Sequence, residues 1–231
     1  LIASLLSAGA RRDELLWRAR AQPWENDEHL RAAAAIYGIP QDRITTTPNG
    51  GQRYIGKRAR HASSYDQHGK GLSEVLIKEG ITITPDEGQR MIEAVVDRDI
   101  PELRDWQCEI RKRLLRDRAL TNDWGRELLF TYDRLDEDAY RRGYAFIPQS
   151  SLATLLNQWG FVPLDAAIQR GEFRAAINVN NHDSLLVSVH PDDVWLVWQF
   201  LRSALERPRE YWGVELTIPV TLKVGMNWAF T

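Results

Sequence analysis

The spacing of apolar residues changes along this 231-residue chain, and that change limits the possible folds more than any single motif does. In the first two thirds the apolar positions recur at helical intervals; Leu103, Trp106 or Gln107, Ile110 and Leu114 trace one face of a helix. In the last third the period becomes two. Val214, Leu216, Ile218, Val220, Leu222 and Val224 alternate with Glu215, Thr217, Pro219, Thr221, Lys223 and Gly225, which predicts a strand with one buried face, placed at an edge or bulge by Pro219. Helices followed by antiparallel strands predict an α+β chain.

Stop and start signals divide the helical part. One helix is expected from Leu1 to about Arg20. A second runs from Asp27 to Tyr37, where Gly38 supplies a C-terminal cap and Pro40 prevents continuation. Pro48-Asn49-Gly50-Gly51 forms a turn, and a helix follows from Gln52 to about Tyr65. Thr84-Pro85-Asp86-Glu87 is a capping box with Pro at the first helical position, so a helix begins there and ends near Asp99; Pro101 starts another. Later, the β-prone runs Phe173–Val179 and Ser184–Val189 flank Asn180-Asn181-His182-Asp183, a hairpin turn. Pro191-Asp192-Asp193 then opens a helix, with its carboxylates expected at the positive end of the dipole. Trp195 and Trp198 on that helix are expected in the core.

With 43% apolar residues the chain is rich enough to build a core, which excludes disorder. Cys108 is the only cysteine, so a disulfide scaffold is excluded and a reducing compartment is expected, the cytoplasm of a bacterium or of a virus-infected host cell. The apolar start, Leu1 to Ala10, precedes Arg11 and Arg12, the reverse of a signal peptide's charge order. No apolar run reaches the roughly 20 residues that span a bilayer, so no membrane partner is expected. A net charge of −2 excludes a uniformly basic surface but conceals a basic stretch, Arg53, Lys57, Arg58, Arg60 and Lys70, opposed there only by Asp66.

Two groupings carry chemistry. On a helix from Gln52, the residues Arg53, Lys57, Arg60, His61 and Ser64 fall within about a third of the circumference, with Tyr65 at the edge of that face. A row of cations ending in an aromatic ring suits a polyphosphate attached to a flat base; the plain alternative is a solvated basic face. At the hairpin tip, Asp183 beside His182 offers a carboxylate that would anchor a divalent cation, the plain alternative being an ordinary turn.

In their order along the chain these segments resemble the family A DNA polymerases. Arg53-Tyr-Ile-Gly-Lys57 with Tyr65 resembles motif B, the nucleotide-binding fingers helix. The run from Asn181-His182-Asp183-Ser184 through His190-Pro-Asp-Asp resembles motif C, the palm hairpin. Asp27-Glu28-His29 with Gly38 resembles the segment that precedes motif B. Arg141, Ile147-Pro148-Gln149 and Ser150 resemble the helix that touches the minor groove of the primer-template duplex, and Val224-Gly225 through Asn227-Trp228 resembles the family's close.

The resemblance implies a template-directed DNA polymerase whose partners are primer-template DNA and dNTPs. It implies that residues 25–140 are fingers, 141–231 palm with the motif C hairpin, and 1–24 a partial palm helix. Arg53, Lys57 and His29 would bind the triphosphate, and Tyr65 would gate the templating base. Arg141, Gln149 and His182 would contact minor-groove acceptors common to every correct base pair. Asp183 would hold Mg²⁺ for two-metal transfer.

Three residues depart from the family pattern. His61 stands where Phe or Tyr helps to exclude the ribose 2′-hydroxyl, Asp66 where glycine is common, and Ser184 where a second carboxylate is typical. Motif A, with its own metal-binding aspartate, and the thumb would lie upstream of Leu1. The chain is therefore expected to work with a preceding segment or a second polypeptide. The alternative function is a non-catalytic polymerase fold that binds DNA or a partner protein.

Overall fold

A computed structural model describes residues 7–22, 24–48, 50–181, 183–211 and 214–227. Of the sequence expectations, the helix start before Ser7, Asn49 of the turn, His182 and Trp228 lie outside them. The element order is helices first, then small antiparallel ribbons, an α+β architecture. Among the described residues no helix is long and apolar enough to cross a membrane.

Two compact units are present. The first comprises residues 1–120 and 127–147, the second 121–126 and 148–231.

The first unit contains α1 (Gly9–Arg20), α2 (Glu28–Tyr37), α3 (Gln52–Ser64), α4 (Gly69–Lys78), α5 (Pro85–Arg98) and α6 (Glu102–Asp117). Local chemistry sets their ends. Asp27 caps α2, its Oδ1 accepting from the backbone N–H of His29 (2.9 Å) and Leu30 (3.1 Å), and Gly38 closes it at φ +66°. The Thr84 capping box forms as its spacing predicts: the Thr84 hydroxyl accepts from Glu87 N–H, and Glu87 accepts from Thr84 N–H. The helix α4 was not foreseen. Its N-terminal Gly69 lies so close to α5 that a Cβ would stand 2.2 Å from the Pro85 carbonyl oxygen.

Two apolar cores organise this unit. Ala32, Ala59, Ala62, Leu72, Leu76, Ile92 and Val95 join α2 to α5. Ile110 and Leu114 of α6, with Leu120, Phe130, Tyr140 and Tyr144, form the other. Small residues at 32, 59 and 62 allow α2 and α3 to pack closely, and that contact positions the candidate site. The ribbon β1 (Ala119–Thr121) with β2 (Glu127–Leu129) precedes α7 (Glu137–Leu155), a helix long enough to contribute to both units.

In the second unit a π-helical segment, Leu156–Phe161, leads into α8 (Val162–Gln169). The strands β3 (Ala175–Asn181) and β4 (Ser184–Val189) pair antiparallel across the expected turn, with a register shift between Ile177 and Val179. A 3₁₀ turn, Pro191–Asp193, opens α9 (Val194–Leu205), and β5 (Arg209–Tyr211) pairs with β6 (Val214–Leu216).

Two local expectations are corrected here, and one is refined. The strand expected from Val214 to Val224 ends at Leu216, because its partner β5 is three residues long and leaves nothing beyond for the ladder; Leu222 and Val224 are exposed. Asp192 and Asp193 stand at the N-terminus of α9 as expected, although the Asp193 carboxylate makes no capping bond to the helix. It accepts instead from the backbone N–H and guanidinium of Arg174 (2.8 and 2.9 Å), which holds its pKa at about 2. Trp195 is 61% exposed, because Val197 and Leu205 supply the buried face of that helix.

Candidate functional site

The site is built where α2 and α3 cross. Gly56, one residue before Lys57, makes the crossing close: a Cβ there would lie 2.6 Å from the His29 carbonyl oxygen and 2.7 Å from the Ala33 nitrogen. Asp27 ties the same two helices together. While its Oδ1 caps α2, its Oδ2 accepts from Arg53 Nε at 2.7 Å. Burial opposes ionisation of Asp27, but the Arg53 bond and the two backbone N–H groups outweigh it and keep the carboxyl below its ordinary range. The sequence presented Asp27 as the start of a helix and, through the family likeness, as part of the segment before motif B; its bond to Arg53 comes from a partner 26 residues away.

This geometry gathers His29, Arg53, Lys57 and His61. The charges of Arg53, Lys57 and His61 all act on His29, whose pKa is lowered first by burial and then by these cations, against the pull of Asp27. His61 is lowered likewise, by burial and by Lys57 and Arg58. Both rings therefore favour the neutral form at neutral pH. The Nδ1 of His29 is buried without a hydrogen-bond partner among the described residues. Lys57 is half-buried, and no hydrogen bond or ion pair engages it among the described residues.

Arg60 departs from the expected row of ligand-facing cations. It turns into an ion network, with Nη1 2.6 Å from Asp99 Oδ2 and Nη2 3.2 Å from Glu28 Oε2. Asp99 is 4% exposed and also meets Arg18 (3.2 Å) and Arg31 (3.3 Å). Glu28 pairs with Arg18 as well; burial raises its pKa, but Arg18, Asn26 and Arg60 outweigh that and hold it at about 2. The helix thus carries two kinds of cation, Arg60 committed to structure and Lys57 without a side-chain partner among the described residues. Periodicity cannot separate them, because the anions that bind Arg60 come from α2 and the end of α5.

Tyr65 terminates α3 and lines two open clefts. One, of about 190 Å³, also has Arg58, His61 and Gln67 on its walls. The other, of about 430 Å³, is shared with His68, Lys70 and Arg141. Arg141 donates to Asp138 at 2.9 Å, the local pairing its spacing allows, and its Nε is buried without a partner among the described residues. Asp66 takes a left-handed conformation, φ +51°, at the position where the family commonly has glycine.

In the second unit Asp183 is exposed in the turn between β3 and β4. Ser184 closes that turn, its hydroxyl donating to the Asn181 carbonyl at 3.0 Å, and Asn180 Nδ2 donates to Asn157 of the π segment at 2.6 Å. Gln149 is exposed on α7. Among the described residues no three of His, Cys, Asp and Glu are grouped to hold a metal ion, so the donor set for a hard divalent cation is incomplete within them.

The family model for DNA polymerase family A matches residues 6–230, nearly the whole chain. This chain belongs to DNA polymerase family A. Among solved structures it is similar to the POL domain of Pol1 from M. smegmatis in complex with DNA primer-template and dNTP. The TM-score is 0.67 at 21% identity, a likeness of fold that covers 89% of this chain. The chain spans about a third of that polypeptide, 35% of its length. Membership in the family agrees with the order of the motifs from Asp27 to Asn227.

Proposed function

We propose that this chain supplies the nucleotide-binding fingers (residues 25–140) and part of the palm (1–24 and 141–231) of a template-directed DNA polymerase. The observation that carries the reading is Lys57, without a partner among the described residues, on a helix whose neighbouring arginines, Arg53 and Arg60, are both ion-paired. An ammonium left in that state beside His29 and His61 suits the phosphates of an incoming dNTP, where it would neutralise charge that builds on the departing pyrophosphate. His29 would add a hydrogen bond, since a phosphate oxygen supplies the partner its ring lacks once the ring turns outward. Arg53, held by Asp27, would present its remaining N–H groups to the same phosphates.

Tyr65, at the end of the helix, would stack beside the templating base. Arg141, Gln149 and His182 would donate to minor-groove acceptors and so test pair geometry without reading sequence. Asp183 would be one ligand of Mg²⁺, which when bound activates the primer hydroxyl and steadies the phosphates. The remaining protein carboxylate is assigned to a segment or polypeptide outside this chain. The Pol1 structure was obtained with DNA primer-template and dNTP, which supports the same two partners here.

The test is primer extension by the polymerase that contains this chain. Asp183→Ala should abolish extension while primer-template binding persists. Normal extension by Asp183→Ala would overturn the catalytic reading and favour a DNA-binding derivative of the fold.

A further inference from the structure

Arg111, on α6, was not singled out by any motif. Its Nη2 donates to Asp66 Oδ2 at 2.9 Å and to Glu137 Oε2 at 2.8 Å, its Nε donates to the Tyr144 hydroxyl, and its guanidinium carbon lies 4.4 Å from the centroid of the Tyr140 ring. Asp66 is the residue after Tyr65 and holds the left-handed turn that ends α3. Glu137, Tyr140 and Tyr144 lie on α7, and Arg141 follows Tyr140 directly. One planar cation therefore joins the end of the candidate nucleotide helix to the candidate duplex-contacting helix: Nη2 bonds a carboxylate from each, and Nε and the face add contacts to the second. Tyr65 and Arg141, each adjacent to a residue held by Arg111, line the same cleft.

Glycine at position 66 would make the turn without strain, but it would have nothing to offer Arg111. Aspartate accepts an unfavourable φ and gains the ion pair. We propose that Arg111 is a positioning residue that fixes Tyr65 relative to Arg141, and so couples the templating-base gate to the check on duplex geometry. The inference rests on the nucleotide-binding reading above. Its functional consequence is discrimination: a mispaired terminus that displaces Arg141 would be felt at Tyr65 through this latch.

The test measures kcat/KM for correct and mismatched dNTP insertion by the polymerase containing this chain, alongside its melting temperature. Arg111→Gln should raise the mismatched-to-correct ratio by about tenfold. Asp66→Gly, which keeps the turn and removes the carboxylate, should raise it comparably, and the double variant should be no worse than Arg111→Gln alone because one interaction is lost in each. Arg111→Lys should recover part of the discrimination. Wild-type ratios in Arg111→Gln and Asp66→Gly, with or without a lowered melting temperature, would overturn the proposal, as would full additivity in the double variant. Lys57→Ala, assayed in parallel for dNTP KM, reports on the nucleotide reading separately.

Discussion

The carbonyl oxygen of His29 stands 2.6 Å from where a Cβ on Gly56 would lie, so the candidate phosphate histidine and the helix carrying Lys57 are in register because residue 56 has no side chain. Both close neighbours are backbone and cannot rotate away. Gly56→Ala gains up to about 1 kcal/mol of helix propensity, but forcing α2 from α3 costs about 1–3 kcal/mol. The expected outcome is a lower urea midpoint together with weaker dNTP binding. A raised midpoint would mean that the helices do not meet as described.

Asp99 gathers Arg18, Arg31 and Arg60 at a position 4% exposed. Its removal leaves three guanidinium groups short of a carboxylate in a poorly solvated place. Asp99→Ala should lower unfolding stability by about 3 kcal/mol, the scale for breaking a buried ion pair from one side. Glu14 and Glu28 retain some of the arginines, which keeps the loss from being larger. Chemical denaturation gives the value, and a loss under about 1 kcal/mol would mean that the network behaves as a surface one.

His29 and His61 both have lowered pKa values, burial being the first cause in each. The folded protein then binds their protons less readily than the unfolded chain does. The stabilisation is present above the ordinary histidine pKa of about 6.5 and is lost as pH falls through it toward the folded values. Stability should therefore decline as pH falls below about 6.5, and His29→Gln should flatten part of that decline. Glu28, held at about 2, contributes in a separate window, since its stabilisation is lost only below the ordinary glutamate range. Phosphates near His29 should raise its pKa, so nucleotide binding near pH 6 should take up protons, measurable by calorimetry in buffers of different ionisation enthalpy.

Elements whose boundaries are set by local chemistry were legible in the sequence. The Thr84 capping box, the Gly38 cap and the hairpin around Asn180 to Asp183 depend on neighbours a few residues away, and they form as their spacing indicates. Features set by distant partners were not legible. Arg60 and Lys57 look alike on a helical wheel, and the partners that engage Arg60 alone, Asp99 and Glu28, lie 39 and 32 residues away. Alternation from Val214 to Val224 was clear, yet a strand needs a partner, and β5 offers three residues. The value of Arg111 depends on Asp66 and Tyr144, 45 and 33 residues away in sequence, so no motif announced it.

The central claim is that α3 presents Lys57 to nucleotide while committing Arg60 to the fold. The direct measurement is the dNTP dissociation constant in single-turnover insertion by the polymerase that contains this chain, with Lys57→Ala and Arg60→Ala compared at equal fractions folded. Lys57→Ala should weaken dNTP binding at least about tenfold, the scale of a lost charge-assisted phosphate contact, with little change in stability. Arg60→Ala should lower stability and leave the dissociation constant within about twofold, a difference worth under 0.5 kcal/mol. Unchanged dNTP affinity in Lys57→Ala, or equal losses of affinity in both variants, would contradict the account.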